Sequence, residues 1–211
     1  YLVTGGAERW LLNLSSFLKS QKYLVTIFTT NGSGEWEQKA KHVCDNLIIN
    51  NVETETQENV IQKLIDYVNK HGVDLVHISN SETGYVATKI LAEIYPKPKI
   101  VDTVHSDKSG FINYSSKYSS YIDQRITVSK ITQQMLLKNN LINSNSVSTI
   151  YNACDLEIVN KIPKKKNIIS YIGRLSEEKN PQLFIDICNA LSKQLADYTF
   201  QIVGDGPLFD T

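Results

Sequence analysis

The sequence predicts an α/β fold of two Rossmann-like, doubly wound lobes, the second of them incomplete within these 211 residues. Three observations carry that expectation. Strand-like and helix-like hydrophobic periods alternate along the chain, as they do where helices cover a parallel sheet. Glycine-bearing turns stand beside strands or helix starts at Gly5-Gly6, at Gly173 and at Gly204-Asp205-Gly206. A polar, lysine-rich stretch broken by a proline, Asn160 to Lys166, separates two such patterns and reads as an interdomain linker.

The elements follow in order. Trp10, Leu11, Leu14, Phe17 and Leu18 recur at helical spacing from Gly6 to about Lys19. Tyr23 to Thr29 is a β-branched and aromatic run and reads as a strand, as does Leu47 to Ile49. Ile61, Leu64, Ile65 and Val68 mark a helix that stops near Gly72. Asp74 to Ser79 is a strand, and Thr83 to Tyr95 a helix closed by Pro96 and Pro98. Lys99 to Val104 is a strand ending at His105. Arg125 to Val128, Lys130 to Lys138 and Val147 to Tyr151 read as strand, helix and strand. Beyond the linker come a strand at Ile168 to Ile172, a helix from Pro181 to about Leu195 and a strand at Phe200 to Val203. The expected organisation is therefore an N-terminal lobe over 1–160, lacking its first strand, and the start of a second lobe over 161–211. One βαβ unit cannot cover both faces of its own sheet.

Composition narrows the function. Lys+Arg and Asp+Glu both number 22, so the net charge is zero, and a surface built to coat nucleic-acid phosphates is not expected. Lys164, Lys165 and Lys166 form a basic run that reads as solvated linker. The three cysteines, Cys44, Cys154 and Cys188, are far apart and form no Cys-x-x-Cys, so neither a disulfide framework nor a zinc knuckle is indicated and a reducing cytoplasm fits. No apolar run approaches the roughly 20 residues that span a bilayer. Hydrophobic residues at 41% place the chain among ordinary folded domains rather than disordered ones.

Four places could carry chemistry. Gly5-Gly6-Ala7-Glu8-Arg9 heads the first helix, where free N–H groups and the helix dipole attract anions; an ordinary turn would look the same, and the dinucleotide fingerprint Gly-x-Gly-x-x-Gly is not met. In Gly173-Arg174-Leu175-Ser176-Glu177-Glu178-Lys179-Asn180-Pro181, Asn180 and Pro181 make a helix start, which leaves Arg174 and Lys179 in a loop at the C-terminal edge of a strand. Ligands of open α/β sheets bind at that edge, and a guanidinium with an ammonium suits a diphosphate. Val203-Gly204-Asp205-Gly206-Pro207 follows a strand and allows a tight turn beside a base or ribose. His105 ends its strand facing a cleft, where an imidazole can hold or pass a proton.

In this order and spacing, GGAER, TVHS, TVS (Thr127 to Ser129), IYNACDLE (Ile150 to Glu157), GRLSEEKNP and IVGDGP resemble the family 4, or group 1, glycosyltransferases of GT-B fold. The resemblance covers the whole chain. It implies two Rossmann-like lobes, with the nucleotide-sugar donor on the C-terminal lobe and the acceptor mostly on the N-terminal one. It assigns the family's diphosphate-binding Arg and Lys to Arg174 and Lys179, its phosphate-side glycines to Gly5 and Gly6, and its N-lobe histidine to His105. Gly173 belongs to the same donor loop, and Gly204 would lie by the nucleotide. It implies no metal and no cofactor.

Two departures stand out. Asn152-Ala153-Cys154-Asp155 replaces the usual Asn-Gly-Val-Asp, and the family's Glu-x7-Glu element is not found before Thr211.

The expected activity is sugar transfer with retention, from a nucleotide diphosphate sugar to the hydroxyl of a sugar or lipid-linked acceptor, in polysaccharide or glycolipid assembly. The expected location is the cytoplasm or the inner face of the membrane, with peripheral membrane association allowed for the full-length protein. The fragment alone is expected to be inactive. A non-catalytic remnant or a nucleotide-sugar epimerase of the same fold is the alternative, and an NAD-dependent oxidoreductase ranks behind both.

Overall fold

The computed structural model describes residues 2–106, 110–138, 140, 142–153 and 167–209. The chain divides into two compact units, Tyr1–Cys154 and Asp155–Thr211. The expected boundary at 160 and the linker Asn160 to Lys166 lie outside the described residues.

The first unit alternates helices and strands: α1 (Gly6–Ser20), β1 (Thr26–Thr29), α2 (Glu37–Val43), β2 (Asn46–Ile49), α3 (Gln57–His71), β3 (Leu75–Ser79), α4 (Glu82–Leu91), β4 (Lys99–Val104), α5 (Phe111–Lys117), β5 (Gln124–Thr127), α6 (Lys130–Leu137) and β6 (Val147–Thr149). All strand pairs are parallel. They form a two-stranded sheet, β1-β2, and a four-stranded sheet in the order β3-β4-β5-β6. Side-chain hydrogen bonds tie β1 and its loop to the helices flanking β3: Thr26 Oγ1 to Tyr67 Oη at 2.8 Å, and Thr30 Oγ1 to Ser81 Oγ at 3.0 Å.

Local chemistry sets the helix limits. The Thr56 hydroxyl caps α3 by accepting from the Asn59 N–H, and Gly72 ends it in the left-handed region at φ 58°. Ser81 caps α4 in the same way through the Gly84 N–H. That helix stops at Leu91, short of the expected Tyr95, and Tyr95 itself precedes Pro96, which disfavours the helical region at that residue. The strand expected at Tyr23 begins only at Thr26, with Tyr23 and Leu24 largely exposed.

Three apolar clusters hold this unit together. Ile65, Val68, Ile78, Tyr85, Leu91 and Ile100 fill the space between α3, α4 and the larger sheet. Leu12, Val25, Ile27, Ala40 and Cys44 pack α1 and α2 on the smaller sheet, and burial pushes the Cys44 thiol pKa up. Val104, Leu136, Ile142 and Val147 seat α6. Cys44 and Cys188 are free thiols, and Cys154 lies outside the described residues.

The second unit is a βαβ arrangement: β7 (Ile168–Ile172), α7 (Pro181–Leu191) and β8 (Thr199–Val203), with β7 and β8 paired in parallel from Ile168↔Thr199 to Ile172↔Val203. Asn180 caps α7, its side chain accepting from the Leu183 N–H at 3.2 Å, with Pro181 in the first turn as the sequence predicted. Asn180 reaches this position at φ 48°, in the left-handed region that asparagine tolerates better than most residues. Among the described residues, no helix is long and apolar enough to cross a membrane.

Candidate functional site

Two places at strand ends gather the residues singled out above, one in each unit. In the first unit the parallel register sets Ser79 opposite Thr103 and His77 opposite Val101, so residues two apart share a face of the sheet. Two diagonal contacts follow. His77 Nε2 lies 2.8 Å from Thr103 Oγ1, and His105 Nε2 lies 3.1 Å from Ser79 Oγ. Trp10 comes from the second turn of α1 and sets its indole edge-on against both imidazoles, 5.3 Å from His77 and 5.1 Å from His105 between ring centres.

That enclosure decides the charge state. Burial lowers the pKa of His77 to about 4, helped by the neighbouring His105, and burial alone lowers His105 to about 4. Both rings are therefore neutral near pH 7, each with one N–H donor and one acceptor nitrogen. A neutral His105 can orient a hydroxyl; it is not a resting imidazolium.

Because Trp10 touches His105, the first turns of α1 lie against the end of β4. Gly5 is the N-cap and is extended at φ −163°, with no side chain to cap the helix. The Glu8 carboxylate folds back over Gly5, and a Cβ added there would collide with it; a Cβ at Gly6 would meet nothing. Neither glycine is demanded by a left-handed backbone or by rigid packing. Beyond these residues, a pocket of about 230 Å³ opens where β1, β2 and β3 end and α3, α4 and α5 begin.

In the second unit the loops after β7 and β8 continue the strand pairing. The Gly173 N–H donates to the Val203 carbonyl at 3.1 Å, and the Leu175 N–H donates to the Asp205 carbonyl at 2.9 Å. Gly204 is glycine because a Cβ would run into the Gly173 carbonyl oxygen. Gly206 sits at φ 154° against the Leu175 carbonyl. The close approach expected of Gly204 toward a nucleotide is thus one its own backbone already requires.

Arg174 and Lys179 are both exposed on the loop from β7 to α7. The Tyr171 hydroxyl lies 3.0 Å from the Arg174 carbonyl and 3.4 Å from the Lys179 carbonyl, so one phenol links the backbones of the two basic residues. The Tyr171 ring is anchored on Phe184 of α7, 5.7 Å away. The Ser176 hydroxyl is buried in the same loop with no partner.

Trp10, His77, Ser79 and Tyr171 were not foreseen as site residues. Helical spacing marks Trp10 only as apolar, and strand register, which brings 77, 79, 103 and 105 together, is not written in any single strand. Of the Asn-x-x-Asp element, Asn152 and Ala153 are exposed, and Cys154 and Asp155 lie outside the described residues. Among the described residues no group of three or more His, Cys, Asp or Glu side chains could hold a metal ion.

The chain matches Glycosyltransferase Family 4 over residues 4–158 and Glycosyl transferases group 1 over residues 152–211. No curated protein sequence matches it. Solved structures share its fold. A glycosyltransferase from Rickettsia africae ESF-5 superposes with TM-score 0.66 at 15% identity, over 96% of this chain and 67% of its own. A mutant of S. aureus TarM in complex with Fondaparinux, alpha-GlcNAc-glycerol and UDP superposes with TM-score 0.54 at 16% identity, over 72% of this chain and 32% of its own. The chain thus spans about a third of TarM. These likenesses establish the α/β, GT-B-type fold. With one family matched across most of its length and its companion across the remainder, the chain belongs to Glycosyltransferase Family 4.

Proposed function

We propose that the full-length protein is a retaining glycosyltransferase that moves a sugar from a nucleotide diphosphate sugar to an acceptor hydroxyl, in the assembly of a cell-surface polysaccharide or glycolipid at the inner face of the membrane. The reading rests chiefly on the loop after β7, where Tyr171 fastens the backbones of Arg174 and Lys179 and both side chains stay exposed. Charge develops on the diphosphate as the sugar–oxygen bond breaks, and donors fixed in place before the reaction stabilise that charge without reorganising. Arg174 supplies a planar fork and Lys179 a compact charge. The N-terminus of α1 at Gly5-Gly6 has no side-chain hydrogen-bond cap and is read as a further source of backbone N–H groups, for which the Glu8 carboxylate over Gly5 has to swing aside. In this reading residues 1–160 serve the acceptor, and 161–211, with Gly173 and Gly204, begin the donor lobe.

His105 is neutral, so its part is to orient a sugar hydroxyl through a hydrogen bond, with Ser79 fixing the ring. TarM, a fold relative, was crystallised with UDP and alpha-GlcNAc-glycerol, which supports a nucleotide donor and a glycosylated product as the ligand classes.

The test is Arg174→Ala in the full-length enzyme. Loss of a preorganised donor to the leaving group should lower kcat by about 10²-fold to 10³-fold. Arg174→Lys should recover part of that loss, as charge without the fork. Activity within about threefold of the parent would remove the assignment.

A further inference from the structure

We propose that the pocket at the strand ends of the first unit is a subsite for an uncharged sugar ring, that of the acceptor, and that Glu82 turns phosphorylated sugars away. Calling this sugar the acceptor rests on the transfer reading above; the binding itself does not.

The pocket is lined from the ends of β1 and β2 and from the end of β3. Open α/β folds bind ligands outside the C-terminal ends of their strands. Its volume of about 230 Å³ is below the roughly 300 Å³ where pockets for drug-sized ligands begin, and it suits a single ring.

The lining speaks for hydroxyls. Asn31, Gln57 and Asn80 bring three amides, each able to donate and accept at once, which is what a ring of hydroxyls needs. The Gln57 amide is steadied by a 3.3 Å hydrogen bond to Thr83 Oγ1, and Asn31 Oδ1 accepts from Thr30 Oγ1 at 2.7 Å. Asn80 is held at φ 48°, a conformation that costs energy outside glycine and persists where surrounding structure imposes it. Phe111 and Tyr114 supply apolar ring surface for the C–H face of a sugar.

Charge supplies the discrimination. Among the described lining residues Glu82 is the one acidic side chain, and none is cationic. The Tyr114 hydroxyl donates to the Glu82 carboxylate, which holds the phenol proton on and raises the Tyr114 pKa. Helix starts at this edge would otherwise favour anions. The first turns of α3 and α4 already carry Glu58 and Glu82, which offset that partial charge. A phosphate here would meet a carboxylate and, among the described lining residues, no counter-charge, whereas a sugar hydroxyl could donate to Glu82 in a charge-assisted bond.

The test compares two ligands that share one ring, methyl β-D-glucopyranoside and glucose 6-phosphate, by saturation-transfer NMR on the full-length protein without donor. The uncharged glycoside should bind, and glucose 6-phosphate should bind roughly tenfold more weakly. Glu82→Gln keeps the shape and the Tyr114 contact but removes the charge. It should weaken the glycoside roughly tenfold, as expected for one lost hydrogen bond to an ionised group, and remove the bias against glucose 6-phosphate.

Equal or tighter binding of glucose 6-phosphate by the parent protein would overturn the proposal. So would glycoside affinity untouched by Glu82→Gln, or no binding of either ligand. None of these readouts needs turnover, so a full-length protein that binds the glycoside but transfers no sugar would sink the transfer reading and leave the subsite standing.

Discussion

Trp10 packs edge-on against two half-buried imidazoles, and their burial has a measurable acid signature. His77 and His105 fall from 6.5 to about 4 in the folded chain, so between those values the unfolded chain takes up protons that the folded one refuses. Stability is therefore complete above about pH 6.5 and declines as pH falls toward 4. Asp102 works the other way: burial raises it from 3.8 to about 6, so the folded state binds its proton first and gains stability on acidification through that interval. Two histidines outweigh one aspartate, and the urea midpoint should drop from pH 7 to pH 5, less steeply than the histidines alone would require. Trp10→Leu opens the enclosure, and NMR titration should find both imidazoles moved back toward 6.5. Unmoved values near 4 would mean that the strands alone shield them. His105 was legible from its place at a strand end; its neighbours were not, because a helix stripe says which residues turn inward and nothing about what they meet there.

Among the secondary-structure elements, β5 carries the residue with the most structural responsibility. Arg125 is 1% exposed, and its guanidinium spreads over four short elements and turns. Nε donates to Ser115 Oγ of α5 at 3.2 Å, Nη2 to the Ser119 carbonyl at 2.9 Å, and Nη1 to the Ile122 carbonyl and Ser146 Oγ at 3.5 and 3.3 Å. Nearby Asp102 accepts from Tyr85 Oη at 3.1 Å and leaves its other oxygen without a partner. Arg125→Met removes four donations and leaves buried acceptors unmet, which should cost about 3–5 kcal/mol. Arg125→Lys should rescue little, since one ammonium cannot reach four directions. A fall in urea midpoint at constant m-value checks this; a loss under about 1 kcal/mol would contradict it. The same region explains why α5 was not foreseen. Its seven residues, Phe-Ile-Asn-Tyr-Ser-Ser-Lys, are mediocre helix formers held by ring contacts between Tyr85 and Phe111 at 6.3 Å and between Tyr85 and Tyr114 at 5.9 Å. The seven-residue α2 was equally hidden, while the fifteen-residue α1 and α3 show enough turns for their stripes to be read.

On the scale of the molecule the two units differ in how much they bury. Ile100, Val104 and Thr103 of β4 are fully buried, whereas no residue of β7 or β8 is. Phe184, Cys188 and Leu191 of α7 are partly buried, while Leu183 and Ile187 are 53% and 45% exposed; Ile172 at the end of β7 is 77% exposed. A βαβ unit with so little covered apolar surface gains little to offset the entropy of ordering it. Hydrogen exchange on the 211-residue chain should therefore find the amides of Ile168–Ile172 far less protected than those of Lys99–Val104. Equal, strong protection in a monomer would refute this, and association through the apolar surface is the expected alternative to local opening. Two units were expected from the change of composition near 160, and the chain divides between Cys154 and Asp155. The division of the first unit into a two-stranded and a four-stranded sheet was not legible, since strand order depends on pairings that no local pattern records.

The turn after β1 also bears on how the protein ages. Asn31-Gly32 is the dipeptide most prone to spontaneous deamidation, in which the glycine amide nitrogen attacks the asparagine side-chain carbonyl, ammonia leaves, and water opens the resulting succinimide to a carboxylate. Here that nitrogen is occupied: the Gly32 N–H donates to the Asn50 carbonyl at 2.7 Å. The folded chain thus keeps its own nucleophile engaged, and conversion is expected mainly from chains in which this turn has opened. The residue at risk lines the pocket, so each such event would exchange a neutral amide for a second carboxylate near Glu82. A preparation stored warm or under partly denaturing conditions would then accumulate a more acidic subpopulation with no peptide bond cleaved, much of it isoaspartate, in which the main chain runs through the former side-chain carbon.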